Sequence, residues 1–351
     1  MMIHPIPIDK LRLMPKTELH LHLDGCVRPA TLIELAQSQH YALPVQDAAQ
    51  LLPYMQVGEH CGSLKEYLEK FDFVLPLLQT AEALERVAYE AVAHCAEQGC
   101  LYAEIRFAPQ LHTMQGLTLV ETIRCVLRGL TQAQADHDIQ AQAIIICMRH
   151  HSEALNLAVV EAAALLAGQG VAAVDLAGDE ASYPPRLFRR VFARARELGL
   201  PATIHAGEAA GTDSIREALD GLGAVRIGHG IRLKESPELV AEVQSRRVPL
   251  EMCPTSNIQT KAVPGWEAYP IREYVDRGLL VTVNTDNPTV SHTTLTSEYA
   301  ELNRRFGFSW DELKQIALNG AAAAWLPEAD KQALRIAMLE RFRRLEQEMN
   351  P

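Results

Sequence analysis

No apolar run in this 351-residue sequence approaches the ~20 residues that a membrane-spanning helix needs. The opening stretch MMIHPIPIDKLRLMPK also lacks the apolar centre of a signal peptide. Runs of one charge sign are equally missing. Lys and Arg number 33 against 44 Asp and Glu, for a formal net charge of −11. An acidic balance without basic clusters argues against nucleic acid or an anionic membrane as partner. The seven cysteines are scattered and form no C-x-x-C pair. We therefore expect free thiols, Cys95 and Cys100 included, in a reducing cytoplasm. Linkers rich in Gly, Pro or Ser and low-complexity tracts are absent too. Hydrophobic residues make up 48% of the chain, enough for a substantial core. The expectation is one globular domain over residues 1–351, of unknown oligomeric state.

What is present is an alternation. Strand-like runs occur at 17–23, 101–107, 141–148, 171–177, 201–206, 224–230, 248–253 and 279–286. Helical patterns lie between them, for example at 83–98, 119–134 and 184–198. Strands alternating with helices indicate parallel β/α units, and eight is the number that closes a (β/α)8 TIM barrel. The long interval 24–100 predicts additional helices after the first strand. In SWDEL, Ser309 with Glu312 three residues on predicts a capping box opening the last helix. A doubly wound open sheet is the alternative, but the sequence has no G-x-G-x-x-G turn after its first strand.

The stretch TELHLHLDG (17–25) concentrates the chemistry. Successive strand side chains point to opposite faces, so Leu19, Leu21 and Leu23 share one face while Glu18, His20, His22 and Asp24 share the other. Active sites of such barrels sit at the C-terminal ends of the strands. There the sequence places His20 and His22, then His205 and Glu208 (HAGE), His229 (GHG), and Asp286 with Asn287 (NTDNP). Neutral imidazoles with a carboxylate suit a borderline ion such as Zn²⁺. Taken singly, each group has a plainer explanation. His-x-His fits a satisfied core pair, and His205 fits a buried histidine bonded to backbone. Glu208 could serve a helix N-terminus and Asp286 an Asx-turn. Asp175 and Asp179 read as structural hydrogen-bonders. The coincidence at four strand ends favours a metal.

The segments TELHLHLDG, DLAGDE (175–180), HAGE (205–208), RIGHG (226–230) and NTDNP (284–288) occur in the order seen in adenosine deaminases. SLKEYLEKFDF (63–73), YAEIRFAPQL (102–111) and CPTSN (253–257) also resemble that family, so the likeness covers roughly 15–340. The resemblance implies a metal-dependent hydrolase barrel with one zinc per chain, held by His20, His22, His205 and Asp286. It implies hydrolysis of adenosine and 2′-deoxyadenosine to inosine, 2′-deoxyinosine and ammonia in purine salvage, by a zinc-activated water attacking purine C6. By the same resemblance Glu208 gives a proton to purine N1 and His229 orients the water. Gly178 meets N3, Asp24 receives the ribose 5′-hydroxyl, and His22 also lies at the substrate. Leu64, Tyr67, Leu68 and Phe71 form an apolar gate helix, with Met148 on the pocket wall. One departure stands out: the second residue of the family's usual Asp-Asp pair is here Asn287, whose amide can still donate to N7. Adenine or modified-adenine deaminases tend to carry Glu at the position of Asp24, so HLDG favours a nucleoside. A catalytically silent nucleoside-binding protein would be expected to lack a ligand or Glu208, and both are present.

Overall fold

Each of the eight expected runs forms a strand in the computed structural model, which describes residues 5–58 and 61–349. The outermost residues of the expected 1–351 domain, and residues 59–60, lie outside the described residues. The strands are β1 (Lys16–His22), β2 (Cys100–Phe107), β3 (Gln140–Met148), β4 (Val171–Ala177), β5 (Thr203–Ala206), β6 (Arg226–His229), β7 (Leu250–Met252) and β8 (Val281–Val283). All neighbouring pairs run parallel, in the orders β1-β2-β3-β4 and β5-β6-β7-β8. Single bridges join the two four-stranded sheets at both seams, Val174 to Ala202 and Leu21 to Asp286. The architecture is a TIM barrel whose ladder narrows to one bridge at each seam.

The later strands are shorter than the pattern predicts, and their ends show why. Pro201 has no N–H to donate, so regular pairing of β5 begins only at Thr203. Gly207, His229 and Asp286 adopt left-handed backbone at φ 73°, 64° and 62°, which bends the chain out of the ladder. Beyond β8, the chain pairs directly with β1: Asp286 N–H donates to the His20 carbonyl, and His22 N–H to the Asp286 carbonyl, both at 2.8 Å.

The extra helices after β1 are present, at Pro29–Ser38, Ala48–Met55, Leu64–Leu68, Phe71–Val74 and Ala81–Glu97. The run at 184–198 opens with a 3₁₀ turn at Pro185–Phe188, and its helix spans Arg189–Glu197. Ser309 and Glu312 form the expected capping box, but they do not open the last helix. A further helix, Glu328–Met349, follows Pro327. It has little one-sided periodicity, which hid it in the sequence.

Leucines 19, 21 and 23 pack outward into the hydrophobic core between barrel and helices. The inward face is polar, unlike the branched apolar filling usual for this fold. Arg106 donates to Asp175 (2.8 Å), Glu251 (2.7 Å) and the Leu19 carbonyl (2.7 Å). Arg226 donates to Glu251 (2.6 Å), Glu104 (2.5 Å) and the Ala323 carbonyl (2.9 Å). Trp325 closes the floor beneath, its backbone N–H donating to Glu104 at 2.8 Å and its ring 4.5 Å from the Arg226 guanidinium carbon.

Helix Leu119–Asp136 packs on Ala81–Glu97 at close range through Gly129. A Cβ there would lie 2.2 Å from the Glu85 carbonyl oxygen and 2.8 Å from the Ala88 Cβ. Alanine is the better helix former by about 1 kcal/mol, but forcing the helices apart costs about 1–3 kcal/mol. Gly129→Ala should therefore lower the thermal midpoint. An unchanged or higher midpoint would show that helix propensity outweighs the clash.

Candidate active site

The barrel mouth opens into a cavity of about 480 Å³. Its walls include His22, Asp24, Gly178, His205, Glu208, His229, Asp286 and Asn287, together with Leu64, Tyr67, Leu68, Phe71 and Met148. Every residue expected at the substrate thus reaches one cavity. His20 lies beneath it, fully buried. One nitrogen or oxygen from each of His20, His205, His229 and Asp286 lies within 4.8 Å of the others. His22 Nε2 joins them, 3.2 Å from Asp286 Oδ1 and 3.3 Å from His205 Nε2.

Hydrogen bonds on the far ring atoms sort these histidines. His20 Nδ1 lies 2.8 Å from Glu251, and His205 Nδ1 lies 3.0 Å from Asp175. A carboxylate only accepts, so both Nδ1 atoms carry hydrogen and both Nε2 lone pairs face the centre. His229 is opposite. The Asn257 amide nitrogen donates to its Nδ1 at 3.0 Å, while Tyr269 donates to the Asn257 carbonyl oxygen at 3.3 Å. The His229 hydrogen therefore sits on Nε2, where it cannot coincide with a metal bond. Burial keeps both His205 and His229 below the ordinary imidazole range, hence neutral.

Ser256 donates to Asp286 Oδ2 at 2.6 Å and leaves Oδ1 for the histidines. Burial alone would raise the Asp286 carboxyl, but His20 and His22 hold it well below its ordinary range. Burial is likewise overcome at Asp175 by His205 and Arg106, and at Glu251 by Arg226 and Arg106. Glu208 goes the other way. Burial, then Asp286 and Glu180, push it up to about 8, so it holds a proton at neutral pH. Thr260 donates to its Oε1 at 3.1 Å, and its Oε2 lies 3.7 Å from His229 Nε2.

Two observations fit a divalent cation here. His20 Nε2 is buried with no hydrogen-bond partner. Around it, the carboxylates of Glu104, Asp175, Glu251 and Asp286 outnumber the guanidinium groups of Arg106 and Arg226 by two. Glu18 adds nothing, since burial pushes its carboxyl well above the ordinary range. Imidazole nitrogens and a carboxylate oxygen are donors suited to a borderline first-row ion.

Small residues make the convergence possible. At Gly228, a Cβ would stand 3.1 Å from the His20 ring and 3.2 Å from the His205 Cα. At Gly25, it would overlap the Asn287 side chain at 2.0 Å. Asn287 is buried and its Oδ1 has no partner. The gate is two short helices instead of one: Leu64, Tyr67 and Leu68 lie on Leu64–Leu68, and Phe71 opens Phe71–Val74. An i→i+3 bond from Lys70 N–H to the Tyr67 carbonyl tightens the turn between them. Tyr67 anchors the first helix through a 2.6 Å bond between its hydroxyl and Ser291.

Glu251, Ser256, Asn257, Thr260 and Glu180 were not identified by pattern. The only signal for Glu251 was a lone carboxylate in the apolar run VPLEMC. CPTSN carried likeness to a family but no chemistry of its own.

The adenosine deaminase family model matches residues 15–340. Over 326 residues the chain is 44% identical to an adenosine deaminase from Enterococcus faecalis, covering 93% of this chain and 96% of that one. An adenine deaminase structure from Arthrobacter aurescens superposes with a TM-score of 0.86 at 30% identity, covering 94% of this chain and 99% of that one. A zinc-bound amidohydrolase structure from Burkholderia ambifaria gives a TM-score of 0.87 at 26% identity, covering 98% and 94%.

If His205 is a ligand, its carboxylate partner should matter to metal affinity. Outer-shell partners typically contribute 10–100-fold, so Asp175→Asn should weaken divalent-metal binding by about that factor in a chelator competition. The unmutated protein should hold about one equivalent by elemental analysis. An Asp175→Asn protein with unchanged affinity would remove His205 from the coordination shell.

Proposed function

From the premise that this chain belongs to the adenosine deaminase family, we propose that it hydrolyses adenosine and 2′-deoxyadenosine to inosine, 2′-deoxyinosine and ammonia, with one zinc ion per chain. The observation that carries this reading is the meeting of a buried His/Asp cluster with a buried carboxyl, Glu208, in one cavity. His20, His22, His205 and Asp286 would hold the zinc, which supplies Lewis-acid activation of the attacking water.

The chain's own groups do the rest. Attack at C6 pushes electron density onto N1, and Glu208 is the acid that delivers a proton there. His229, neutral and with hydrogen on Nε2, orients the water beside Glu208. Gly178 offers a backbone N–H to N3 from a left-handed turn at φ 106°. A side chain there would meet nothing closer than 3.7 Å, so conformation and not space favours glycine. The Asn287 amide donates to N7 without needing to be protonated first. Asp24 receives the 5′-hydroxyl.

Among the described residues lining the cavity there is no Lys or Arg, while Asp24, Glu69, Asp72 and Asp179 face it. That charge disfavours a nucleotide phosphate and suits a neutral nucleoside. We place the enzyme in the cytoplasm in purine salvage, where its seven free thiols are at home. Among the described residues, no helix is long and apolar enough to cross a membrane. We treat residues 15–340 as the catalytic core of a single domain. An adenine deaminase is the weaker alternative, because the shorter Asp24 leaves room for a sugar hydroxyl.

Glu208→Gln should retain metal and nucleoside binding while kcat falls by roughly 10²–10⁴, about 3–5 kcal/mol. A near-normal kcat would mean that the N1 proton comes from elsewhere.

A panel of adenosine, 2′-deoxyadenosine, adenine and AMP, followed by ammonia release, tests the substrate assignment. The nucleosides should lead, and adenine turned over faster than adenosine would reverse it. In the same assay Asp24→Ala should lower kcat/KM for adenosine at least about tenfold, yet hardly change it for 5′-deoxyadenosine. Equal losses on both would show that Asp24 supports the strand and does not read the sugar.

A further inference from the structure

Glu180, the last residue of DLAGDE, is 2% exposed and does not line the cavity; its place in the proposed chemistry so far is only as a charge beside Glu208. Its carboxylate nonetheless accepts five hydrogen bonds from one segment. Gly207 N–H donates to Oε1 at 2.7 Å, and the Ser214 hydroxyl donates to the same oxygen. The N–H groups of Glu208, Ala209 and Ala210 donate to Oε2 at 3.0, 2.7 and 2.9 Å. Gly207, at φ 73°, turns the backbone so that four successive N–H groups converge. Such a concavity binds anions, and here it is filled by a side chain of the same molecule.

The gripped segment contains Glu208 itself. Its backbone is held by Glu180 from behind, while its side chain enters the cavity between Thr260 and His229. Glu180 also follows Gly178 and Asp179 on the loop after β4, and both of those line the cavity. One carboxylate therefore ties the two walls together. We propose that Glu180 is a positioning residue that sets Glu208 in register with the Gly178 wall, so that the proton donor meets the purine ring held opposite. This rests on the reading of Glu208 as proton donor.

Glutamine at position 180 keeps the shape but turns an NH₂ group toward N–H donors, so the segment 207–210 must shift. A misplacement of about 1 Å costs up to about 100-fold in rate. Glu180→Gln should therefore lower kcat by about 10- to 100-fold, with KM and metal content near those of the unmutated enzyme.

A general loss of structure could lower kcat as well, and a double-mutant cycle separates the two. If Glu180 acts through Glu208, adding Glu180→Gln to Glu208→Gln should cost nothing more. The same fold-loss in both backgrounds, or no loss in either, would overturn the proposal. Glu180→Asp, charged but too short to reach all five donors, is measured in the same cycle and decides the matter if the glutamine variant does not fold. The parent reading is judged separately, by the unmutated enzyme and Glu208→Gln alone. No adenosine turnover by the first, or near-normal kcat in the second, would overturn that reading and this proposal together.

Discussion

The site depends on how one buried carboxylate, Glu251, is satisfied. It accepts from Arg226 and Thr203 on one oxygen, and from Arg106 and His20 on the other. Burying an ion costs several kcal/mol unless partners replace its water, and deleting one partner from a buried pair costs about 3–5 kcal/mol. Four donors from four different strands meet that demand only when those strands are in register. The floor of the barrel and the orientation of His20 are therefore one structural event.

The same economy of protons runs upward through the barrel. Glu251 and Asp175 place hydrogens on the outer nitrogens of His20 and His205, while Asn257 does the reverse to His229. Three chemically identical side chains thus turn two lone pairs and one hydrogen toward the centre, according to what lies behind them. Carboxylates also take different protonation states a few ångströms apart: Asp286, facing imidazoles, stays ionised, whereas Glu208, facing mostly burial, keeps its proton. Environment, not residue type, assigns the roles.

Much of this was legible in the sequence because strand periodicity is local. Alternation in TELHLHL put His20 and His22 on one face, and eight such runs implied the barrel that brings His205, Glu208, His229 and Asp286 to them. What stayed hidden depends on contacts between distant strands. Nothing near Glu251 predicts that it faces His20, 231 positions away. The Asn257 amide reveals its role only once Tyr269 and His229 stand on either side of it. The gate broke into two helices through a turn bond at Lys70 that no hydrophobic pattern marks.

The seam between β1 and the chain beyond β8 has a consequence for synthesis in the cell. Leu19 and the Asn284 side chain that bonds its N–H are 265 positions apart. At the usual 5–20 residues per second, a ribosome needs on the order of tens of seconds to deliver the second after the first. Throughout that interval the nascent β1 has an open edge, the kind of surface that invites pairing with other chains. Its two histidines are also free to meet whatever cations the surroundings hold. The nascent chain is thus exposed longest at β1, whose outer edge closes only when the chain beyond β8 arrives.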